Sequence, residues 1–338
     1  MAQWSWIGAA AAGLVAAGVS EARQGTPPGY GLDWVTVGAP GNRAVNGVEA
    51  PILDGLSVGS VGYEYRLTRT EVTVSQWFEF VQAYAPHWAA AGGNPRDSQL
   101  TGWWIDTGPS GQHQIVSAQA HNYPAVMGWR FAARYCNWLH NGKASEAWAF
   151  ESGAYDTSTF VMGPNGIVLD QATHSPGAKF WIPTGDEWVK AAYHDPNRYG
   201  EGEEGYWRYP LGSNDLPVSG FPWDGGETNA GDATYPLAGM DVGSYPGSTS
   251  PWGLLDMSGG EEEWTGTISG DANWRVALGS RVAETTYPAT DFISWYLAGA
   301  GGYSSLRGLR VASTVPGSGG GVLLVSLVLV AMPRRRPR

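Results

Sequence analysis

The 338-residue chain has a single cysteine, Cys136. One thiol excludes an intrachain disulfide and any metal site built on a cysteine pair. Basic residues are also scarce: 20 Lys and Arg stand against 31 Asp and Glu, a formal net charge of -11. No basic footprint exists outside the last few residues, so nucleic acid is excluded as a partner. Long apolar runs are missing as well. The runs at 6–19 and 322–332 both fall short of the roughly 20 residues a membrane span requires. No internal repeat is present, and no linker interrupts residues 33–313. What the chain does have is 49 Gly, 18 Trp and 16 Tyr. That mixture describes a loop-rich globule anchored by large aromatic side chains, since regular helices and sheets favour Leu, Ile and Val.

The two ends read as processing signals. Residues 1–22 are expected to be an export signal, with an apolar run followed by the small residues Ser20 and Ala22 at the positions a signal peptidase reads. Residues 315–338 are expected to form a C-terminal sorting or anchor segment, in which the apolar stretch 322–332 precedes the cluster Arg334, Arg335, Arg336 and Arg338. This tail resembles the bacterial PEP-CTERM sorting signals, although the Pro-Glu-Pro position reads Val315-Pro316-Gly317. The expected location is the bacterial cell envelope or the extracellular space, with membrane contact only through the terminal segments.

Between these ends the periodicity places a handful of elements. Residues 33–37 read as a strand, and Val61, Tyr63, Tyr65 and Leu67 alternate as in a half-buried strand. Thr73 and Gln76 have capping-box spacing. Trp77, Phe80, Val81 and Tyr84 then share one helical face, and Pro86 is expected to end the helix. Residues 86–122 read as loop. Trp129, Ala132, Tyr135, Cys136 and Leu139 form a second stripe, closed by Asn141-Gly142. Cys136 on that stripe is expected to be an inert core thiol, because a reactive thiolate needs exposure and nearby positive charge. After a loop over 143–178 come a strand at 180–182, a capping box from Thr184 to Glu187 and a helix ending at Asp195-Pro196. Residues 197–251 show no period. Residues 274–278 and 308–312 read as closing strands, separated by a glycine and aromatic loop.

Chemistry concentrates in residues 252–267, WGLLDMSGGEEEWTGT. Asp256, Glu261, Glu262 and Glu263 crowd around Gly259-Gly260, and such carboxylates repel one another unless positive charge lies among them. A hard cation such as Ca²⁺ would supply it, with the glycines turning backbone carbonyls inward. A solvated acidic turn is the plain alternative.

Six blocks in order resemble the formylglycine-generating enzyme, or sulfatase-modifying factor, family. They are EVTVSQWFEF (71–80), YPAVMGWRFAARYCNWL (123–139), WIPTGDEWVKAA (181–192), LLDMSGGEEEWTG, WRVALGSR (274–281) and GLRVAS (308–313). The resemblance implies an α+β fold, a loop-rich variant of the C-type lectin fold, in a single domain over 33–313. It also implies calcium, held by the Asp256 and Glu263 side chains with the Gly259 and Glu261 carbonyls. A second calcium would use Asn229 and the Ala230 carbonyl, with Asp232. The oxidases of this family hold copper with two thiolates, which would fall near Val282 or Ala283 and near Tyr287 or Pro288. No cysteine occurs in 281–313, and Cu(I) is a soft ion that requires thiolate.

Two functions remain open from the sequence. The first is an exported, calcium-stabilised pseudoenzyme that binds an exported protein or a carbohydrate through Arg281, Tyr287, Trp295, Tyr296, Tyr303 and Arg307. The second is an oxidoreductase using a non-cysteine metal site, drawing on His87, His113, His121, His174 or His194, none of which has a metal-ligand spacing.

Overall fold

The computed structural model describes residues 27–109, 111–164, 167–231, 239–269, 274–282, 289–293 and 305–316. The export signal expected over 1–22, and the sorting segment beyond Pro316, lie outside the described residues. In chain order the elements are β1 (Trp34–Val37), β2 (Tyr65–Thr68), α1 (Val74–Ala90), α2 (Ser98–Thr101), β3 (Ile105–Thr107), β4 (His113–Ile115), α3 (Trp129–His140), α4 (Trp148–Glu151), β5 (Phe180–Trp181), α5 (Gly185–Tyr193), β6 (His194–Gly200), β7 (Glu203–Tyr206), β8 (Glu263–Ile268), β9 (Arg275–Leu278) and β10 (Ala312–Thr314).

The main sheet has the order β1-β2-β10-β5, with every pair antiparallel. Leu67 of β2 lies opposite Val35 on one side and Ala312 on the other. The sheet therefore joins the first and last strands of residues 27–316, and formation of β10 must wait for the rest of the chain. All four residues of β2 are buried, where the alternating pattern predicts half burial. The outward position is covered because Arg66 donates to the Thr314 carbonyl and the Ser313 hydroxyl and lies over the Trp34 ring.

Both capping boxes form. The Gln76 amide donates to Thr73 Oγ1 and the Thr73 amide to Gln76 Oε1, and Thr184 and Glu187 repeat the exchange at α5. Trp77 and Phe80 of α1 meet Tyr135 of α3 at ring-centroid distances of 5.5 and 5.6 Å. This aromatic contact fixes the two long helices together at the centre of the core.

Pro86 does not end α1, which runs on to Ala90. Proline's fixed φ is compatible with helix, but the residue lacks the amide that would bond the Gln82 carbonyl and its ring crowds that carbonyl. Tertiary contacts compensate: beyond the proline, Trp88 packs edge-on against Phe131 at 5.4 Å, and His87 Nε2 lies 2.7 Å from the Ser145 carbonyl.

The expected loops contain short elements without a detectable period. α2, β3 and β4 occupy 86–122, α4 falls within 143–178, and β6 pairs with β7 where no regular structure was expected. The closing strand is Ala312–Thr314, displaced from the predicted 308–312. Residues 308–311 serve other purposes: Gly308 bridges to Glu263, the Leu309 carbonyl accepts from Val72, and Arg310 turns toward β8.

Candidate functional site

Residues 256–264 run between four other segments of the chain, 71–72, 228–230, 279–282 and 307–310, and β8 begins at their end. Gly259 and Gly260 make the turn with φ of +83° and +66°. A Cβ on Gly259 would sit 2.2 Å from Asn229 Oδ1, and one on Gly260 would sit 2.2 Å from Glu71 Oε1. Only glycine satisfies both the left-handed backbone and the close approach.

The turn directs its amides, rather than only its carbonyls, at its neighbours. The Gly259 N–H donates to Ser280 Oγ at 2.9 Å, Gly260 N–H to Asn229 Oδ1 at 2.8 Å and Glu261 N–H to Glu71 Oε1 at 2.9 Å. Three successive amides thus point at oxygen acceptors from three distant parts of the sequence.

The positive charge demanded by the acidic run comes in large part from arginine. Glu263 is 1% exposed; its Oε1 accepts from Arg310 Nε and its Oε2 from Trp188 Nε1, each at 2.7 Å. Arg310, with no exposed surface, also donates to the carbonyls of Thr68, Arg69 and Leu255. Glu262 forms an ion pair with Arg307. Glu261 is buried, which pushes its carboxyl up to about 8 against the opposing pull of Arg281 and Arg307. Three consecutive glutamates are therefore answered by Arg281, Arg307 and Arg310.

A second acidic pair lies behind the turn. Glu71, 2% exposed, is held well above the ordinary carboxylate range by burial and then by the nearby Asp256 charge. Burial likewise raises Asp256, against Arg310 and the Gly243 amide, which donates to its Oδ2 at 2.6 Å. Glu71 Oε2 has no hydrogen-bond partner. It faces a cavity of about 10 Å³ shared with Asn229, Asp241, Asp256, Ser258 and Gly260. That volume is the size of a single water or ion, roughly 10–15 Å³.

The expected site residues divide accordingly. Asp256, Asn229 and Gly260's neighbours Gly259 and Glu261 are brought together, whereas Glu263 is committed to Arg310 and Trp188. The Ala230 carbonyl accepts from Ser219 Oγ. Arg281 and Arg307 face the acidic run, while Asp232, Tyr287, Trp295, Tyr296 and Tyr303 lie outside the described residues. Glu71 and Arg310 are the members that spacing alone missed. Glu71 had one signal: an acidic residue two positions ahead of the Thr73 capping box and followed directly by the apolar Val72.

The model for the sulfatase-modifying factor enzyme 1-like domain, FGE-sulfatase, matches residues 57–313. The chain belongs to this family. Its sulfatase-modifying factor domain thus includes every residue of the turn and its partners. No curated protein matches the chain. Among solved structures, one titled "Crystal Structure of CarF" aligns over 84% of this chain and 98% of that chain, with a TM-score of 0.46 and 17% identity.

The thiolate copper centre of the family's oxidases does not fit the residues present. Cys136 is fully buried in α3, where burial pushes its thiol up and disfavours the thiolate that would bind a metal. The histidines are dispersed and engaged. His113 Nε2 lies 2.8 Å from the Pro95 carbonyl, His121 Nδ1 3.0 Å from Ser75 Oγ, His174 Nδ1 3.1 Å from the Ser175 carbonyl and His194 Nε2 2.8 Å from Glu204. Among the described residues, no group of three or more His, Cys, Asp or Glu is arranged to hold a metal.

Proposed function

We propose that this sulfatase-modifying factor domain is an exported binding protein on a C-type-lectin-like scaffold, without the thiol oxidase activity of the formylglycine-generating members. The observation that carries this reading is the thiol inventory. Formylglycine formation by those members uses two copper-binding thiolates, and this chain offers Cys136 alone, buried in a helix. Arg281, beside the expected thiolate position at Val282, acts on the buried Glu261, which supports a structural use of that stretch.

Calcium stabilisation belongs to the same proposal, with a revised donor set. Its support is the unpartnered Glu71 Oε2, with Asp256 and Asn229 lining the same one-ion cavity. Oxygen donors of this kind suit a hard cation, whose charge would relieve the buried Glu71 and Asp256. Glu263, already neutralised by Arg310, is not needed as a donor. Export rests on the apolar run at 6–19 and on the apolar and arginine-rich tail.

The decisive test is incubation of the purified chain with a peptide containing Cys-x-Pro-x-Arg, the sequence those oxidases recognise, together with Cu(I) and oxygen. Mass spectrometry should find the cysteine unchanged. Loss of the thiol with appearance of an aldehyde at that position would overturn the binding reading and establish an oxidase with a different metal site.

A further inference from the structure

A second cavity, of about 510 Å³, shares Asp241 with the small cavity beside Glu71 and is lined in part by Gln119, His121, Asn122, Trp223 and Ser244. Trp223 is 71% exposed. An indole is highly buried on average, and what distinguishes this one is its position on the edge of a cavity whose other lining side chains are largely polar. The ring is also held in place. It stacks on Phe221 with centroids 4.5 Å apart and planes 23° apart. Its short 3-10 turn, Pro222–Asp224, starts with a proline and ends at Gly225 with φ of +84°. The proline fixes the backbone just ahead of the indole, and the glycine permits the left-handed turn that follows it.

We propose that this cavity binds a neutral carbohydrate, with one pyranose ring lying on Trp223. The face of an indole is electron-rich, and the axial C–H groups of a pyranose present a flat surface of partial positive charge to it. Around it, the Gln119 and Asn122 amides, the Asp241 carboxylate and the Ser244 hydroxyl supply donors and acceptors for ring hydroxyls. A few placed polar groups around an aromatic surface is the usual composition of a small-ligand site.

The lining argues against other ligand classes. No Lys or Arg is among its described residues, so an anionic ligand would meet only Asp241. An extended peptide that binds by strand addition would need a free strand edge to pair with. His121 and Trp223 instead sit on single 3-10 turns, Ala118–Asn122 and Pro222–Asp224. The proposal does not depend on whether the domain retains oxidase chemistry, because its stacking surface, Trp223, lies outside the 256–264 turn and does not line the cavity beside Glu71.

Saturation-transfer NMR on the full chain tests it, using cellobiose, maltose and N,N′-diacetylchitobiose in turn. At least one should bind with a millimolar or tighter Kd, with the strongest transfer to the C–H protons of one ring face. Trp223→Ala should weaken that binding at least tenfold, while Trp223→Phe, which keeps an aromatic face, should stay within a few-fold of the parent. Trp223 is exposed enough that neither change threatens the fold, which circular dichroism would verify. If none of the three sugars binds at 50 mM, or if binding is the same in Trp223→Ala, the proposal is wrong.

Discussion

Lys190 has no exposed surface, and its ammonium donates to the Ala39 carbonyl at 2.9 Å. Burial lowers its pKa from 10.5 to about 8, more than Glu204, Glu64 and Glu187 raise it. Below pH 8 both folded and unfolded chains carry the proton, and folding bears the full desolvation cost. As pH rises above 8, the folded chain releases the proton first, so stability should climb until the tyrosines begin to ionise in the unfolded chain near pH 10. Urea unfolding at pH 7.5 and 9.5 should show a gain of about 1–2 kcal/mol for the parent over Lys190→Met. A pH-independent difference between the two would refute the assignment. Arg310 is the other residue whose burial has a measurable consequence. Arg310→Ala leaves Glu263 charged in the core and should cost about 3–5 kcal/mol. The double change Arg310→Met with Glu263→Gln should recover much of that loss, because no charge is then stranded. A loss below about 1 kcal/mol in the single variant would mean that another group neutralises Glu263.

At the scale of elements, the capping boxes and aromatic stripes of α1, α3 and α5 were legible because they are local: four to eight residues carry the whole signal. Pro86 shows the limit of local inference. Its ring is a helix breaker by propensity, yet Trp88 and His87 on its far side have partners on Phe131 and Ser145, and the last turn of α1 survives. Replacing Pro86 with Ala restores an amide opposite the Gln82 carbonyl, and should raise stability by about 1–2 kcal/mol after allowing for the looser unfolded chain. A lower urea midpoint in that variant would show that the proline ring itself packs better than a helical alanine. β10 was displaced from expectation for a related reason. Side-chain alternation marks a strand but not its ends, and Gly308, Leu309 and Arg310 are drawn out of the sheet by Glu263 and Val72.

For the molecule as a whole, the glycine turn gathers segments separated by up to 190 residues, as the bond from Glu261 to Glu71 illustrates. If a calcium ion occupies the cavity beside Glu71, saturating calcium at a hundredfold above Kd should add about 2.7 kcal/mol, or roughly 5 °C in Tm. Adding EDTA should reverse it, and Glu71→Gln should abolish the calcium response while Glu263→Gln leaves it in place. A response lost only in Glu263→Gln would return the ligand set to the one implied by the sequence blocks. Sequence alone determined the family, the buried state of Cys136 and the three helices, because ordered motifs and short-range periodicity need no knowledge of what lies across the core. Only the tertiary structure decided how the acidic run is neutralised. Charge balance is a pairwise property of residues such as Glu263 and Arg310, 47 positions apart, and their spacing in the chain says nothing about their 2.7 Å contact.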